Sequence, residues 1–359
     1  MRRTRPRIFR EGGSSTKIIQ TRRHFLAGAA AAGAAGFLGS TTGSRAEPPP
    51  ETTTVRLANG LAGSCWAPQF VAQDLLRAEG FTDVRYVVPD WDKDMLQDTS
   101  VWMTRGEIDF DWQFVPVTIA MIEAGIPVKI LVGLHSGCLE LMAHEGISKI
   151  TDLKGKRVGV DSWHWAARVF LSLMTAYVGL DPNSDFEWVE SKELGLEAGS
   201  LKLFADGKID AFLGTTPQPQ MLRARKIGHS ILDTKIDRPW SHFYCCTLAA
   251  SDDYASKYPV ATKRVLRAIL KSIDLCGSAP QAVARQLVDR GLADNYELLA
   301  QSLTGIGYDR WRDFDTDDAI RFYTLRMREV GMSKANPIDI IADGTNWQFL
   351  NEIKRELKT

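Results

Sequence analysis

The sequence lacks the short motifs that mark several common classes of enzyme. It contains no Walker phosphate-binding pattern and no G-x-G-x-x-G after a predicted strand, so we expect no nucleotide hydrolysis by the Walker route. The segment GLHSG around Ser136 is not the G-x-S-x-G nucleophile elbow. The segment DWDKD, from Asp90 to Asp94, has no glycine where a calcium loop must turn sharply. We therefore expect no catalytic residues and no cofactor.

Histidine and cysteine, the usual ligands of transition metals, are also scarce. The chain has six histidines without a ligand-like spacing, and no C-x-x-C pair. Its five cysteines are Cys65, Cys138, Cys245, Cys246 and Cys276. The odd count leaves at least one thiol unpaired. We interpret the cysteines as small buried hydrophobic residues and predict no metal site, with a disulfide or a metal site as the alternatives.

Net charge is absent overall but unevenly distributed. The formal charge is zero, whereas residues 1–46 contain nine basic residues and one acidic residue. The rest of the chain is therefore mildly acidic, which argues against a nucleic-acid-binding surface. A basic leader on an acidic protein is the simplest interpretation of this asymmetry.

The basic segment has the order of parts expected of an export signal. In TRRHFLAGAAAAGAAGFLG, Arg22 and Arg23 precede a weakly apolar run over residues 27–38, and small residues follow up to Ala46. The paired arginines before Phe-Leu resemble a twin-arginine signal. A membrane anchor is disfavoured because the run is short and rich in alanine and glycine. We predict that residues 1–46 direct export by the twin-arginine machinery to the periplasm, with cleavage near Ala46.

The remaining chain alternates strand and helix patterns. Residues 47–54 form a Pro-rich linker, and from Val55 the segments VRLANG, VRYVVP, FDWQF and VKILVGL read as strands separated by helices. This rhythm predicts an α/β fold with crossover connections.

An internal similarity predicts two lobes of like design. RGEIDFDWQFVP and DGKIDAFLGTTP both read Gly-x-Ile-Asp, then a strand, and then a proline at the same distance, Pro116 and Pro217. A chance match is the alternative. We predict lobe 1 at residues 55–147, lobe 2 at 148–240, and a return to lobe 1 at 241–359 with a helical tail. The crossings between lobes are expected near residues 145–151 and 238–246.

The loops that follow the predicted strands are rich in aromatic residues. Ligands of open α/β sheets bind beyond the carboxyl ends of the strands. The candidate ligand-binding residues are Trp66, Trp91, Trp112, Gln113, His135, Ser162, Trp163, His164, Thr215, Thr216 and Trp240. Each tryptophan could instead belong to the hydrophobic core.

The segment RVGVDSWHWAARVFLSLM concentrates these features at a strand-to-helix junction. Asp161 or Ser162 could cap the helix, whose first amides would attract an anionic ligand group. Indole faces could clasp a flat ring or a cation. Trp163 and Trp165 point in different directions at a helix start, and Trp163 is the better candidate because it is nearer the strand. The amides near Thr215 and Thr216 are a second candidate position for the anion.

Several segments together resemble a known family of transport proteins. CWAPQFVAQD, RGEIDFDWQFVP, EAGIPVKILVG, ITDLKGKRVGV and LFADGKIDAFLGTTPQ are similar to the periplasmic solute-binding proteins of ABC importers for nitrate, alkanesulfonates, taurine and thiamine-precursor pyrimidines. The resemblance spans most of residues 55–273. It implies a two-lobed periplasmic-binding-protein fold of type II-like design with two hinge crossings. It also implies a small-molecule ligand, delivery to a permease with its ATPase subunits, no catalysis and a monomeric protein.

The chain departs from one branch of that family. The thiamine-pyrimidine synthases carry a histidine before the first helix and a Cys-rich iron motif, whereas this chain has Trp66 at the matching position and only Cys245 and Cys246 in the return segment. An exported enzyme related to these synthases is therefore the less favoured alternative. A sensing module of a signalling system is another. The expected ligand is a sulfonate, nitrate or pyrimidine-class solute, and an aromatic or cationic organic molecule is favoured.

Overall fold

The described part of the chain is built on two five-stranded sheets. The computed structural model describes residues 47–59, 64–88, 99–161, 165–193, 195 and 197–357. The chain divides into two units, residues 1–48 and 49–359, and both sheets belong to the second. The predicted export signal at residues 1–46 lies outside the described residues.

The first sheet contains four strands from the amino-terminal half and one from much later in the chain. Its strands are β1 (Thr54–Ala58), β2 (Asp83–Val87), β3 (Phe110–Phe114), β4 (Val128–His135) and β10 (Cys246–Ser251). They lie in the order β2-β1-β3-β10-β4. β1 is parallel to β2 and β3, and β10 is antiparallel to its neighbours β3 and β4.

The second sheet repeats this plan. Its strands are β5 (Leu139–Ala143), β6 (Arg157–Asp161), β7 (Glu187–Ser191), β8 (Ala211–Thr215) and β9 (His229–Asp233). The order is β7-β6-β8-β5-β9, with β5 antiparallel to β8 and β9. The strand in fourth place in each order, β10 in the first sheet and β5 in the second, is therefore antiparallel to its neighbours. Each of these two strands is the first to follow a crossing from the other sheet. This arrangement confirms the predicted α/β class.

The two crossings lie at residues 136–138 and 234–245. The second agrees with its predicted position, but the first precedes β5, whereas it was expected near residues 145–151. All five residues of β5 are buried, and the strand pairs on both sides within the second sheet. The sequence showed an apolar strand there without showing which sheet it joins. The lobe boundaries at residues 147 and 240 stay a prediction.

The helices connect the strands and form the carboxy-terminal part of the chain. Among the described residues the α-helices are Ala67–Ala78, Ser100–Thr104, Val115–Glu123, Trp165–Tyr177, Gly199–Ala205, Gln218–Arg225, Asp252–Lys257, Pro259–Ser278, Pro280–Asp289, Tyr296–Gly305, Thr316–Glu329, Pro337–Gly344 and Gln348–Leu357. The long helix Pro259–Ser278 packs along Ala67–Ala78, and Arg267 donates to the carboxylate of Glu79 at 2.9 Å. The long carboxy-terminal helix therefore packs on the helix that follows β1 of the first sheet.

The repeated Gly-x-Ile-Asp units have the same structure. Asp109 accepts hydrogen bonds from the backbone N–H and Nε of Arg56 at 2.8 and 3.1 Å, and Asp210 accepts the same pair from Arg157 at 2.8 and 3.2 Å. The motif glycine has a positive φ in both units, 66° and 69°, as expected where a helix ends and the chain turns into a strand. The internal similarity therefore reflects one repeated structural unit.

No helix among the described residues is both long and apolar enough to cross a membrane.

Candidate functional site

The two crossings join the carboxyl edges of the two sheets. β4 ends at His135, beside the start of β10 at Cys246, and β5 begins at Leu139 opposite Thr215 at the end of β8. The carboxyl ends of the parallel strands in one sheet are therefore connected, through the two crossings, to the corresponding edge of the other sheet. Such edges are where open α/β sheets bind ligands.

The edges also touch directly. The backbone N–H of Ser64 donates to the carbonyl of Thr216 at 3.2 Å. The ring of Phe114, at the end of β3, packs edge-on against Phe170 of the helix Trp165–Tyr177, with centroids 5.6 Å apart. The structure therefore has the two edges closed on each other.

Trp112, in the middle of β3, lies beside His135, which ends β4. Their ring centroids are 5.9 Å apart, and Tyr308 packs edge-on against the imidazole at 5.2 Å. Within the described residues, Trp112 Nε1, His135 Nε2 and Ser136 Oγ are buried without a hydrogen-bond partner. Buried polar atoms are normally paired, so these three unpaired atoms, on β3, at the end of β4 and at the start of the first crossing, indicate a place where a ligand group could bind.

The polar residues predicted at the edges already have partners. Gln113 donates from Nε2 to Thr99 at 3.2 Å, and its Oε1 accepts from the backbone of Phe114 at 2.8 Å. The N–H of Thr215 donates to Gln218 Oε1 at 3.1 Å, and that of Thr216 donates to the Cys138 carbonyl at 3.1 Å. An anion at this turn would have to displace these acceptors.

Asp161 caps a different helix from the one we expected. Its Oδ1 accepts hydrogen bonds from the backbone N–H and Oγ of Ser200 at 2.7 and 2.9 Å, in the first turn of Gly199–Ala205. Burial raises the pKa of Asp161, and the bonds from Ser200 partly oppose this. Gly199 has a φ of 59°, and a Cβ there would lie 2.3 Å from Asp161 Oδ1. Asp161 and Ser200 are 39 positions apart in the chain. The residues around Asp161 alone could therefore not reveal this contact.

The predicted tryptophans fall into different surroundings. Trp66 is half-buried at the end of the turn Ser64–Trp66 and packs against the hydrophobic core. Trp240 is 2% exposed and packs edge-on against Tyr177 and Phe322, at 5.8 and 5.5 Å. In this structure Trp240 is a core aromatic residue, and its role in binding stays a prediction. Trp91, Ser162, Trp163 and His164 lie outside the described residues.

A cluster of cysteines with His135 is the main feature that sequence reasoning missed. The ligand atoms of His135, Cys138, Cys245 and Cys246 all lie within 4.8 Å of one another, and all four residues are buried. Cys138 Sγ is 2.9 Å from Cys245 Sγ and 3.9 Å from Cys246 Sγ. Cys65 is a further buried thiol, and Cys138 and Cys246 hold its pKa well below the ordinary value. This cluster was missed from the sequence because the first crossing was expected near residues 145–151. Cys138 and Cys245 meet only because both crossings join the same two sheet edges.

The surroundings shift the pKa values of the cluster in different directions. Burial opposes ionisation of the Cys245 thiol, but hydrogen bonds from Cys138 and Cys246 and the charge of His135 hold its pKa well below the ordinary value. Burial alone would lower the pKa of His135, and attraction to Cys245 raises it instead. Burial is the chief reason that the pKa values of Cys138 and Cys246 lie well above the ordinary range. Cys138 and Cys246 therefore favour the thiol form, whereas the surroundings of Cys245 favour its thiolate.

The family of the chain follows from a sequence comparison. The profile of a family described as NMT1/THI5 like matches residues 83–283, which is more than half of the chain. The chain belongs to the NMT1/THI5-like family. A search of curated proteins found no match.

Solved structures share the fold of this NMT1/THI5-like protein at low identity. The periplasmic nitrate-binding protein NrtA from Synechocystis PCC 6803 has a TM-score of 0.68 and 16% identity over 87% of this chain and 90% of its own. The periplasmic aliphatic sulphonate-binding protein SsuA from Escherichia coli has a TM-score of 0.59 and 16% identity over 77% and 86%. A ligand-binding component of an ABC-type import system from Staphylococcus aureus, solved with zinc bound, has a TM-score of 0.64 and 14% identity over 84% and 99%.

These comparisons confirm two predictions. The resemblance to the nitrate and sulfonate-binding family is confirmed by the family match and the neighbours. The two-lobed periplasmic-binding-protein fold is confirmed by the shared architecture. At such identities the neighbours show the fold alone, and their ligands, zinc included, do not transfer to this site.

Proposed function

We propose that this protein is the solute-binding component of an ABC uptake transporter. In this proposal it captures a small organic solute between two lobes and delivers it to a membrane permease that works with ATPase subunits. Membership of the NMT1/THI5-like family supports the role. So do neighbours named as periplasmic nitrate- and sulphonate-binding proteins. The observation that carries the proposal is that two sheets of one plan are joined at their carboxyl edges by two crossings.

Each sheet with its helices would form one lobe, and the lobes would move about the two crossings. Two connections that leave from the same pair of edges can act as a hinge. The bond from Ser64 to Thr216 and the contact of Phe114 with Phe170 would form only as the edges approach. A ligand that touches both edges would therefore stabilise the closed state.

The proposed ligand is a small, partly aromatic or cationic organic molecule with at most one anionic group. The unpaired donors Trp112 Nε1 and Ser136 Oγ could bind its polar atoms. Trp66, together with the predicted contacts from Trp91 and Trp163, would supply indole faces for a ring or cation. Bare nitrate would leave those faces without a partner.

The anionic group would bind at the helix start near Ser162. Its competitor, the turn at Thr215 and Thr216, is less suitable because both backbone N–H groups there already donate to partners. A buried carboxylate or sulfonate needs donors in place, since an unpaired buried charge is very costly.

We expect the protein to act as a monomer in the periplasm after export.

Identification of the ligand tests this function. Native mass spectrometry of the purified protein should reveal a bound organic molecule. Calorimetric titration of ligand-free protein should then show one-to-one binding of that molecule, with taurine, an alkanesulfonate, an aminopyrimidine and nitrate as comparison ligands. We expect nitrate to bind more weakly than the organic ligand.

Recovery of the ligand after long incubation distinguishes the two candidate functions. A binding protein should return the ligand chemically unchanged. A converted product would instead favour the alternative of an exported enzyme related to thiamine-pyrimidine synthases. Failure to bind any of these ligands, in a protein shown by circular dichroism to be folded, would contradict the proposal.

A further inference from the structure

The cluster at the crossings brings residues from both sheet connections to one point. His135 is the last residue of β4 and Cys138 lies in the first crossing, while Cys245 ends the second crossing and Cys246 begins β10. The set is therefore not a contiguous motif. Cys138 and Cys245 are 107 positions apart in the chain, and only the fold brings them together.

We propose that His135, Cys138, Cys245 and Cys246 form a binding site for a thiophilic transition-metal ion, for which Zn²⁺ is the best geometric match. The site does not depend on the proposed transport role. It joins the two crossings through one ion, in addition to whatever solute the edges bind.

The distances within the cluster suit a tetrahedral ion. Zinc lies about 2.3 Å from a cysteine sulfur and about 2.0–2.1 Å from a histidine nitrogen, so tetrahedral sulfur ligands are about 3.8 Å apart. The observed separations are 3.9 Å for Cys138 and Cys246, 3.8 Å for Cys245 and Cys246, and 3.6 Å from Cys245 Sγ to His135 Nδ1. The 2.9 Å between Cys138 and Cys245 is shorter and would open by roughly 1 Å around such an ion.

The chemical types of the four ligands also suit a zinc ion. Thiolate and imidazole are the ligands that zinc and other soft or borderline ions prefer. The imidazole of His135 is buried with Nε2 unpaired among the described residues, and it faces sulfur through Nδ1. A bound cation would balance thiolate charge that is otherwise costly to bury.

A disulfide between Cys138 and Cys245 is the competing outcome. All five cysteines are free in the structure. A disulfide would use two of the sulfurs and leave Cys246 Sγ and His135 Nδ1, which lie beside them, without a role. A metal site uses all four ligand atoms together, which is why we favour it.

Metal titration of the purified protein tests the site directly. The reduced, chelator-treated protein should bind one Co²⁺, giving tetrahedral visible bands and sulfur-to-cobalt charge-transfer absorption, and Zn²⁺ should displace the cobalt. Cys245→Ser should weaken Zn²⁺ binding by more than about 100-fold, since loss of outer-shell partners alone costs 10–100-fold. Zn²⁺ should raise the melting temperature of the wild type but not of this variant.

Cys276→Ser is the matched control. Cys276 is a fully buried cysteine outside the four-residue set, so its substitution should leave the cobalt spectrum and the Zn²⁺ affinity unchanged. If Cys245→Ser does not fold, Cys138→Ser and the wild-type charge-transfer bands decide the matter.

Three results would overturn the site. The first is reduced wild-type protein that binds no Co²⁺ or Zn²⁺, or binds it without sulfur-to-cobalt absorption. The second concerns protein isolated from cells and alkylated under denaturing conditions without reductant. Modification of only three cysteines, with Cys138 and Cys245 joined, would show a disulfide instead. The third is metal binding that is unchanged in Cys245→Ser and in Cys138→Ser, which would place the ion elsewhere.

Discussion

The carboxylate of Asp210 binds both the backbone N–H and the guanidinium Nη2 of Arg157, each at 2.8 Å. Asp109 holds Arg56 in the same way in the other half of the chain. Each aspartate thus fastens the start of a strand to the parallel strand beside it. The repeated Gly-x-Ile-Asp units are therefore a stability feature of both halves.

Removal of the two aspartates should destabilise the protein unequally. Asp109→Ala should lower the free energy of unfolding by about 2–3 kcal/mol, because it leaves a backbone N–H and a charged group without their acceptor. Asp210→Ala should cost less, since the Asp210 side chain is 25% exposed against 4% for Asp109. Urea denaturation measures both. Asp206→Ala is the control, because its pair with Lys202 is exposed and should contribute little. Equal losses at all three positions would refute the proposed role.

Acid should remove part of the stability that Asp210 provides. The hydrogen bond from Arg157 is the main reason that the pKa of Asp210 is lowered in the folded state. A carboxyl with a lowered folded pKa stabilises the protein above its unfolded pKa, about 3.9, and loses this effect as the pH falls through the folded pKa. In Asp210→Asn the fall in stability below about pH 4 should be shallower than in the wild type. Parallel stability curves for the two proteins would contradict this assignment.

Ligand binding should close the hinge. The contacts of Ser64 with Thr216 and of Phe114 with Phe170 are expected mainly in the closed state, so a saturating ligand should reduce the radius of gyration in X-ray scattering. Phe114→Ala should shift the ligand-free protein towards a larger radius. An identical radius with and without saturating ligand would argue against hinged closure.

The indoles at the edges should contribute to affinity. Trp66→Ala and Trp163→Ala should each weaken binding of the identified ligand by roughly 1–3 kcal/mol, by analogy with aromatic stacking on bases, or about tenfold to a hundredfold. Trp188→Ala is the control, because Trp188 lies near the start of β7 rather than at its carboxyl end. Calorimetry on folded variants measures the change. If neither Trp66→Ala nor Trp163→Ala alters the affinity, these indoles belong to the core.

The paired arginines should control export. Changing both Arg22 and Arg23 to lysine should keep the charge but remove the twin-arginine feature, so precursor should accumulate in the cytoplasm. Immunoblots of cell fractions, with the unchanged protein as the reference, measure the distribution. A normal periplasmic yield from the double variant would show that another route is used.

Local pattern was sufficient for much of the fold. The strands β1 to β4, the α/β class and the two-part plan were all predictable, because strand periodicity, helix ends at Gly106 and Gly207 and the repeated Gly-x-Ile-Asp units are properties of neighbouring residues. The family resemblance also followed from short segments. The sequence likewise directed attention to the carboxyl edges, where His135 ends β4 and Thr215 ends β8.

Long-range pairing decided the rest. An apolar strand such as Leu139–Ala143 carries no mark of the sheet it will join, and only its bonds to β8 and β9 assign it to the second sheet. The partner of Asp161 is Ser200, 39 positions later, and the partners of Cys138 are more than 100 positions away. Side chains so distant along the chain meet only where two crossings bring the sheet edges together. Tertiary structure therefore created the Cys-His cluster, because its contacts depend on the pairing of whole strands and not on any local sequence preference.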